Sequence, residues 1–198
     1  MEFLVAFASA FAVIALAELG DKTQILAITL SSKYRRIPVL LGLMSALMFL
    51  TLIAVLGGTA IYTFVSPFYV RALAIIVFLA FGIYTITDFL KNRGTEEAET
   101  INDRKMKTAP RIFAYAFLMI LMAEFGDKTQ LMAIVLTSAY SQPVAVFFGA
   151  SLAFLAVDGP CVVAGSYLGK KIKLSYIKLV SGIIFIAIGI YYLIEMLG

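Results

Sequence analysis

Two stretches of the chain repeat one another: Glu18-Leu19-Gly20-Asp21-Lys22-Thr23-Gln24 and Glu124-Phe125-Gly126-Asp127-Lys128-Thr129-Gln130, 106 positions apart and differing only at the second residue. Each offers two carboxylates, an ammonium, a hydroxyl and an amide, and each lies inside a run of apolar residues. On a continuous helix Glu18, Asp21 and Lys22 share one face with Gln24 on its flank, and Glu124, Asp127, Lys128 and Gln130 repeat that face. Carboxylate, amide and hydroxyl oxygens are hard donors that suit calcium, manganese or magnesium. The chain has no histidine and one cysteine, Cys161. Imidazole metal sites, thiolate zinc sites, disulfide frameworks and Cys/His nucleophilic pairs are thereby excluded within one chain.

Charge inside an apolar run is expensive, at about 3 kcal/mol per group on insertion scales. If the two motifs converge, four carboxylates and two ammonium groups leave a net charge that one divalent cation neutralises. This assigns Glu18, Asp21, Glu124 and Asp127 as metal-binding acids, Thr23, Gln24, Thr129 and Gln130 as additional ligands, and Lys22 and Lys128 as charge balance. The plainer reading is a closed set of ion pairs, Glu18 with Lys22 and Glu124 with Lys128, that fixes helix register. Thr23 and Thr129 serve equally well as backbone hydrogen-bond donors. Asp158, the only acid of its apolar run, is followed by Gly159-Pro160 and is either a proton relay or a residue at a helix kink. Asp88 and Glu195 lie at run ends, where interfacial charges are ordinary.

The 198 residues are 62% hydrophobic and 14% charged, well below the roughly 25% charged of soluble domains. Apolar runs at 3–30, 38–64, 70–90, 112–138, 143–168 and 174–197 predict six membrane spans in an all-α polytopic protein. The first run carries Glu2 at its front and outlasts an h-region, so we expect a retained helix rather than a signal peptide. The length leaves no room for a nucleotide-driven motor, and no phosphate-binding loop motif occurs.

Threading six spans back and forth puts Lys33, Arg35 and Arg36, then Lys91, Arg93, Arg104, Lys105, Lys107 and Arg111, then Lys170, Lys171, Lys173 and Lys178 in loops on one side. Arg71 alone faces the other. Basic loops stay in the cytoplasm, so both termini are expected outside it. The net charge of +4 thus belongs to a bilayer surface and not to nucleic acid.

Similarity between the halves extends past the motifs, from Ala27/Ala133 to Tyr34/Tyr140, and resumes at spacing 107 with Gly42/Gly149, Ala46/Ala153, Gly58/Gly165 and Gly82/Gly189. The expected organisation is a first three-helix repeat at 1–90, a charged cytoplasmic linker at 91–111 and a second three-helix repeat at 112–198. An odd number of spans per copy inverts the second relative to the first, as in many secondary transporters. Runs one and four exceed the length a straight span needs, which predicts a broken or tilted helix at Gly20 and at Gly126. The small pairs Gly42/Ala46 and Gly149/Ala153 predict close packing of spans two and five. Tyr34, Tyr62, Tyr69, Tyr140, Tyr167, Tyr191 and Tyr192 read as interfacial belts.

The duplicated E-x-G-D-K-[ST] motif, here Glu-Leu-Gly-Asp-Lys-Thr and Glu-Phe-Gly-Asp-Lys-Thr, resembles that of a family of small membrane calcium/manganese:proton antiporters found in bacteria, plants and the Golgi. The likeness covers essentially the whole chain. It implies that Glu18, Asp21, Glu124 and Asp127 hold the metal, with Thr23 and Thr129 as hydroxyl positions. No N-terminal targeting extension is seen and the central loop is short, so the expected location is a prokaryotic inner membrane.

The expected function is therefore secondary-active antiport, a divalent cation (Mn2+ or Ca2+) leaving the cytoplasm in exchange for protons, with no cofactor and no enzymatic activity. Three alternatives remain open at this stage. An intramembrane aspartyl protease could use the two Gly-Asp pairs, a passive cation channel could use the acids as a filter, and an exporter could carry cationic metabolites.

Overall fold

The computed structural model describes residues 1–64, 66–91 and 108–168 and, between 183 and 194, all but 184 and 192. Among the described residues the chain is entirely helical. Helices α1 (Glu2–Glu18), α2 (Lys22–Lys33), α3 (Arg36–Phe64), α4 (Pro67–Lys91), α5 (Ala109–Glu124), α6 (Lys128–Tyr140) and α7 (Pro143–Leu168) follow one another, and residues 185–191 are helical as well. In long apolar runs the helix is the form that satisfies every backbone polar group internally. Most of the linker read at 91–111, the basic residues of the fifth connection, Tyr192 and Glu195 lie outside the described residues, as does the side chain of Asp88.

Among the described residues, two helices are long and apolar enough to cross a bilayer by themselves, the 26-residue stretch Arg36–Ile61 of α3 and the 24-residue stretch Pro143–Ser166 of α7. At 1.5 Å per residue these reach about 39 and 36 Å. The first and fourth apolar runs are each split in two. Helices α1 and α2 meet at a bend of 71°, and α5 and α6 at 73°. If each bent pair is one crossing, four spans result.

The breaks lie at the predicted glycines. Helix α1 ends at Glu18, Leu19 is extended, Gly20 takes φ +77°, and Asp21 is extended again before α2 begins. The second copy repeats this with Gly126 at φ +78°. A positive φ is open to glycine and strained for most other residues. The turn leaves backbone groups without helical partners, and the motif glutamines take them up. Gly20 N–H donates to Gln24 Oε1 at 2.9 Å and Gly126 N–H to Gln130 Oε1 at 3.3 Å. Gln130 Nε2 also donates to the Glu124 carbonyl at 2.6 Å.

The core forms between the two halves more than within either. A Cβ placed on Gly42 of α3 would lie 2.6 Å from the carbonyl oxygen of Phe113 and 2.9 Å from Ala116 Cβ, both on α5. One on Gly149 of α7 would lie 2.5 Å from the carbonyl oxygen of Phe7 and 3.0 Å from Ala10 Cβ, both on α1. Further along, Gly58 meets Ile134 and Thr137 of α6, and Gly165 meets Ile28 and Ser31 of α2. Each partner on the first bent pair stands 106 positions before its counterpart on the second. Helix α3 thus packs along α5 and α6, and α7 along α1 and α2.

Ile14, Leu26, Leu43, Leu47, Ile120, Met132 and Leu136 fill the buried interior, and Phe78 stacks on Phe185 at 6.2 Å. Leu41, Leu52, Leu56, Phe148, Leu152 and Leu155 are exposed on the outer sides of α3 and α7, the arrangement expected of a lipid-facing surface.

Overpacking a close-packed contact costs about 1–3 kcal/mol or more. Gly42→Val and Gly149→Val should each lower the unfolding midpoint of the purified protein by several degrees. Gly57, on the same helix as Gly42, has nothing within 4 Å of a Cβ, so Gly57→Ala should leave the midpoint unchanged or raise it slightly.

Candidate metal centre

The breaks decide which side chains meet. Since the helix stops at Glu18 and resumes after Asp21, the shared helical face expected for Glu18, Asp21 and Lys22 does not exist. Glu18 instead ends one helix while Asp21 caps the next, and Glu124 and Asp127 repeat that arrangement.

Ligand oxygens of Glu18, Asp21 and Glu124 lie within 4.8 Å of one another. This distance suits carboxylates that share one cation. Glu18 is fully buried and Glu124 nearly so. Both oxygens of Glu18 and Oε2 of Glu124 have no hydrogen-bond partner among the described residues, although a buried polar atom without a partner costs about 1–3 kcal/mol and more when charged. Thr23 Oγ1 donates a hydrogen bond to Glu124 Oε1, so the first motif's hydroxyl orients the second motif's acid. Thr129 is also buried.

The ion pairs run across the motifs. Lys128 Nζ pairs with Asp21 Oδ2 and, at 3.2 Å, with its neighbour Asp127. Lys22 Nζ lies 3.9 Å from Glu124 Oε1 and 3.8 Å from Asp127 Oδ1. These differ from the pairs of the plainer reading, Glu18 with Lys22 and Glu124 with Lys128 within each motif. They also divide the four acids unequally: Asp127 lies between two lysines and outside the close group of three. The two lysines differ as well, the Lys22 side chain being 41% exposed and that of Lys128 10%. Gln24 and Gln130 have their amide oxygens engaged by the glycine N–H groups of the breaks, so they lock the turns.

Asp158 of α7 is fully buried, and both its oxygens lack partners among the described residues. The helix continues through Pro160 to Leu168. The residue at its repeat-equivalent position, Thr51 of α3, donates to the Leu47 carbonyl of its own helix at 2.7 Å.

Two of the belt tyrosines join helices of opposite halves. The hydroxyls of Tyr140 and Ser9 lie 3.0 Å apart, and the Tyr34 ring meets Tyr115 edge-on at 6.0 Å. The signal for this was present, because Ser9 and Tyr115 stand at the same spacing as Tyr34 and Tyr140.

The profile of the family described as divalent cation/proton antiporter GDT1 matches residues 6–93 and 112–198, one segment for each half. GDT1-like protein sll0615 of Synechocystis is 30% identical over 194 residues, covering 92% of this chain and 93% of that protein. A Vibrio cholerae protein bearing the name "Putative manganese exporter" is 31% identical over 87% of this chain and 82% of its own length. GDT1-like protein 3 of Arabidopsis thaliana is 26% identical over 92% of this chain and 68% of its own length. No solved structure matches the chain. The duplicated motif, its meeting in the fold and the match across both halves agree: the chain belongs to the GDT1 family of divalent cation/proton antiporters, membrane transporters rather than enzymes.

Proposed function

We propose that this chain exports Mn2+ from the cytoplasm in exchange for protons, with Ca2+ as the second candidate ion. The observation that carries this reading is the close group of Glu18, Asp21 and Glu124, drawn from both halves and buried with unpartnered oxygens. With Lys128 held on Asp21, these acids keep a net charge of −2, matched by one divalent ion or by two protons. Exchange of one for the other is then electroneutral. Asp127 enters the coordination shell when the lysines shift, and Thr23 and Thr129 present hydroxyls beside it. Manganese is preferred over calcium because of the name borne by the Vibrio relative. A site of three carboxylates with hydroxyls suits either ion, so size and flexibility set the choice.

In this proposal the six apolar runs are six spans, arranged as two inverted three-helix repeats in a prokaryotic inner membrane with both termini outside the cytoplasm. The matched glycine contacts of α3 and α7, the two similar bends and the sorting of basic loops support it. Reorientation of the bent pairs against α3 and α7 exposes the acids to each side in turn, and protons displace the metal on the outer side.

Purified protein reconstituted with its cytoplasmic face outward should take up Mn2+ when the vesicle interior is acidic. Uptake should stop when the pH gradient is collapsed, and a potassium diffusion potential alone should not drive it. Mn2+ entry that follows its own gradient and ignores the proton gradient would identify a channel instead.

A further inference from the structure

Helix α7 touches the first bent pair at two places. Gly149 lies against Phe7 and Ala10 of α1, and Gly165 against Ile28 and Ser31 of α2. Both contacts advance in the same direction along the two chains, so α7 runs parallel to the α1–α2 pair. Asp158, between the two glycines, is consequently level with the break that carries Glu18 and Asp21. It also stands two helical turns from Gly165, on the face turned toward α2. Asp158 lies within electrostatic reach of Glu18, Asp21 and Glu124. Asp158 is 0% exposed, and neither of its oxygens has a donor.

An acid used only for structure would have found a partner, as the equivalent Thr51 has in the Leu47 carbonyl. Glu18 and Asp158 are instead both fully buried with all four oxygens free among the described residues, Asp158 standing just outside the close group of Glu18, Asp21 and Glu124. We infer that Asp158 is a further ion-binding residue of this centre, contributing a carboxylate oxygen to the divalent cation from α7, outside both repeated motifs. The inference rests on the metal-centre reading given above and deepens it. Its consequence is a lopsided centre. The first break faces an acid on α7, whereas the second faces a hydroxyl on α3 that is already bonded to its own helix, so the fully loaded shell is built on the first break's side.

The test is Mn2+ binding to the purified full chain, measured from the free-ion electron paramagnetic resonance signal, for wild type, Asp158→Asn, Asp158→Glu and Glu18→Gln. Loss of a ligand costs at least as much as the 10–100-fold typical of outer-shell partners. Asp158→Asn should therefore weaken Mn2+ binding at least about tenfold, and Asp158→Glu, which keeps the carboxylate, by only a few-fold. The ion-free Asp158→Asn protein should unfold at or above the wild-type midpoint, because the change removes a buried acid without a partner. If Asp158→Asn binds Mn2+ like wild type while Glu18→Gln has lost it, this inference fails and the metal centre stands. A lowered ion-free midpoint for Asp158→Asn assigns the residue to structure and overturns the inference. If wild type itself binds no Mn2+, the metal-centre reading fails and this inference with it.

Discussion

Glu18→Gln should reduce Mn2+ transport at least about a hundredfold, and it should do so without weakening the ion-free protein. The carboxylate is fully buried and neither oxygen accepts a hydrogen bond. Its place in the fold brings no stabilisation that an amide of the same shape would forfeit. A buried acid without a partner is a cost to the ion-free state, and a cation supplies the missing partner. Removing a coordinating oxygen should exceed the 10–100-fold penalties seen for second-layer partners of metal sites. Glu124→Gln should abolish transport as well, but it also disturbs the hydrogen bond from Thr23 and the nearby Lys22 ammonium. Its ion-free unfolding midpoint should therefore fall below that of Glu18→Gln. Proton-driven Mn2+ uptake combined with thermal unfolding in the absence of metal checks both statements. Wild-type uptake by Glu18→Gln would remove Glu18 from the site.

Lys128→Gln and Lys22→Gln should differ sharply, although the two lysines occupy the same position of nearly identical motifs. Lys128 is held between Asp21 and Asp127 with a tenth of its side chain exposed. Truncating one partner of such a buried pair leaves uncompensated charge and costs about 3–5 kcal/mol. Lys22 is 41% exposed, and its distances of 3.8 and 3.9 Å are long for an ion pair, which places it near the 0–1 kcal/mol of exposed pairs. Lys128→Gln should thus lose most of the protein's thermal stability when ion-free, and millimolar Mn2+ should restore part of it by taking over the charge compensation. Lys22→Gln should stay close to wild type. Equal losses in the two variants would overturn this assignment of the lysines.

The contrast between the two lysines also marks the limit of what the sequence discloses. The repeated motif, its placement within apolar runs, the lack of histidine and the hard oxygen donors of the motifs point to a hard-cation centre, and the glycines between the acids point to the two breaks. Those inferences need only residue type and the cost of burying charge. Partner choice was not legible. Read as a continuous helix, Glu18 and Lys22 stand one turn apart and ought to pair. A single left-handed residue, Gly20, redirects everything after it and sends the lysines to the opposite motif. Gln24 and Gln130 read as additional ligands, and the glycine donors that share their oxygens arise only once the helix is interrupted. The difference between Lys22 and Lys128 could not be read at all, because two matching heptapeptides carry no information about which of them the surrounding helices cover more fully. Asp158 was visible as an odd acid near a proline. Its level relative to the first break emerged from the two glycine contacts that bracket it.

The pairing of each long helix with the bent helices of the other half bears on how the protein is made. Phe7 and Ala10 find their neighbour at Gly149, and Ile28 and Ser31 find theirs at Gly165. Ribosomes release these segments in order, so the nascent amino-terminal third enters the bilayer with its acids unsheltered and its helix grooves empty. It must wait there until the last third of translation supplies α7. Closure of the structure is therefore a late event in biogenesis, and messages truncated before codon 165 encode products that membrane quality control would meet as unassembled helices.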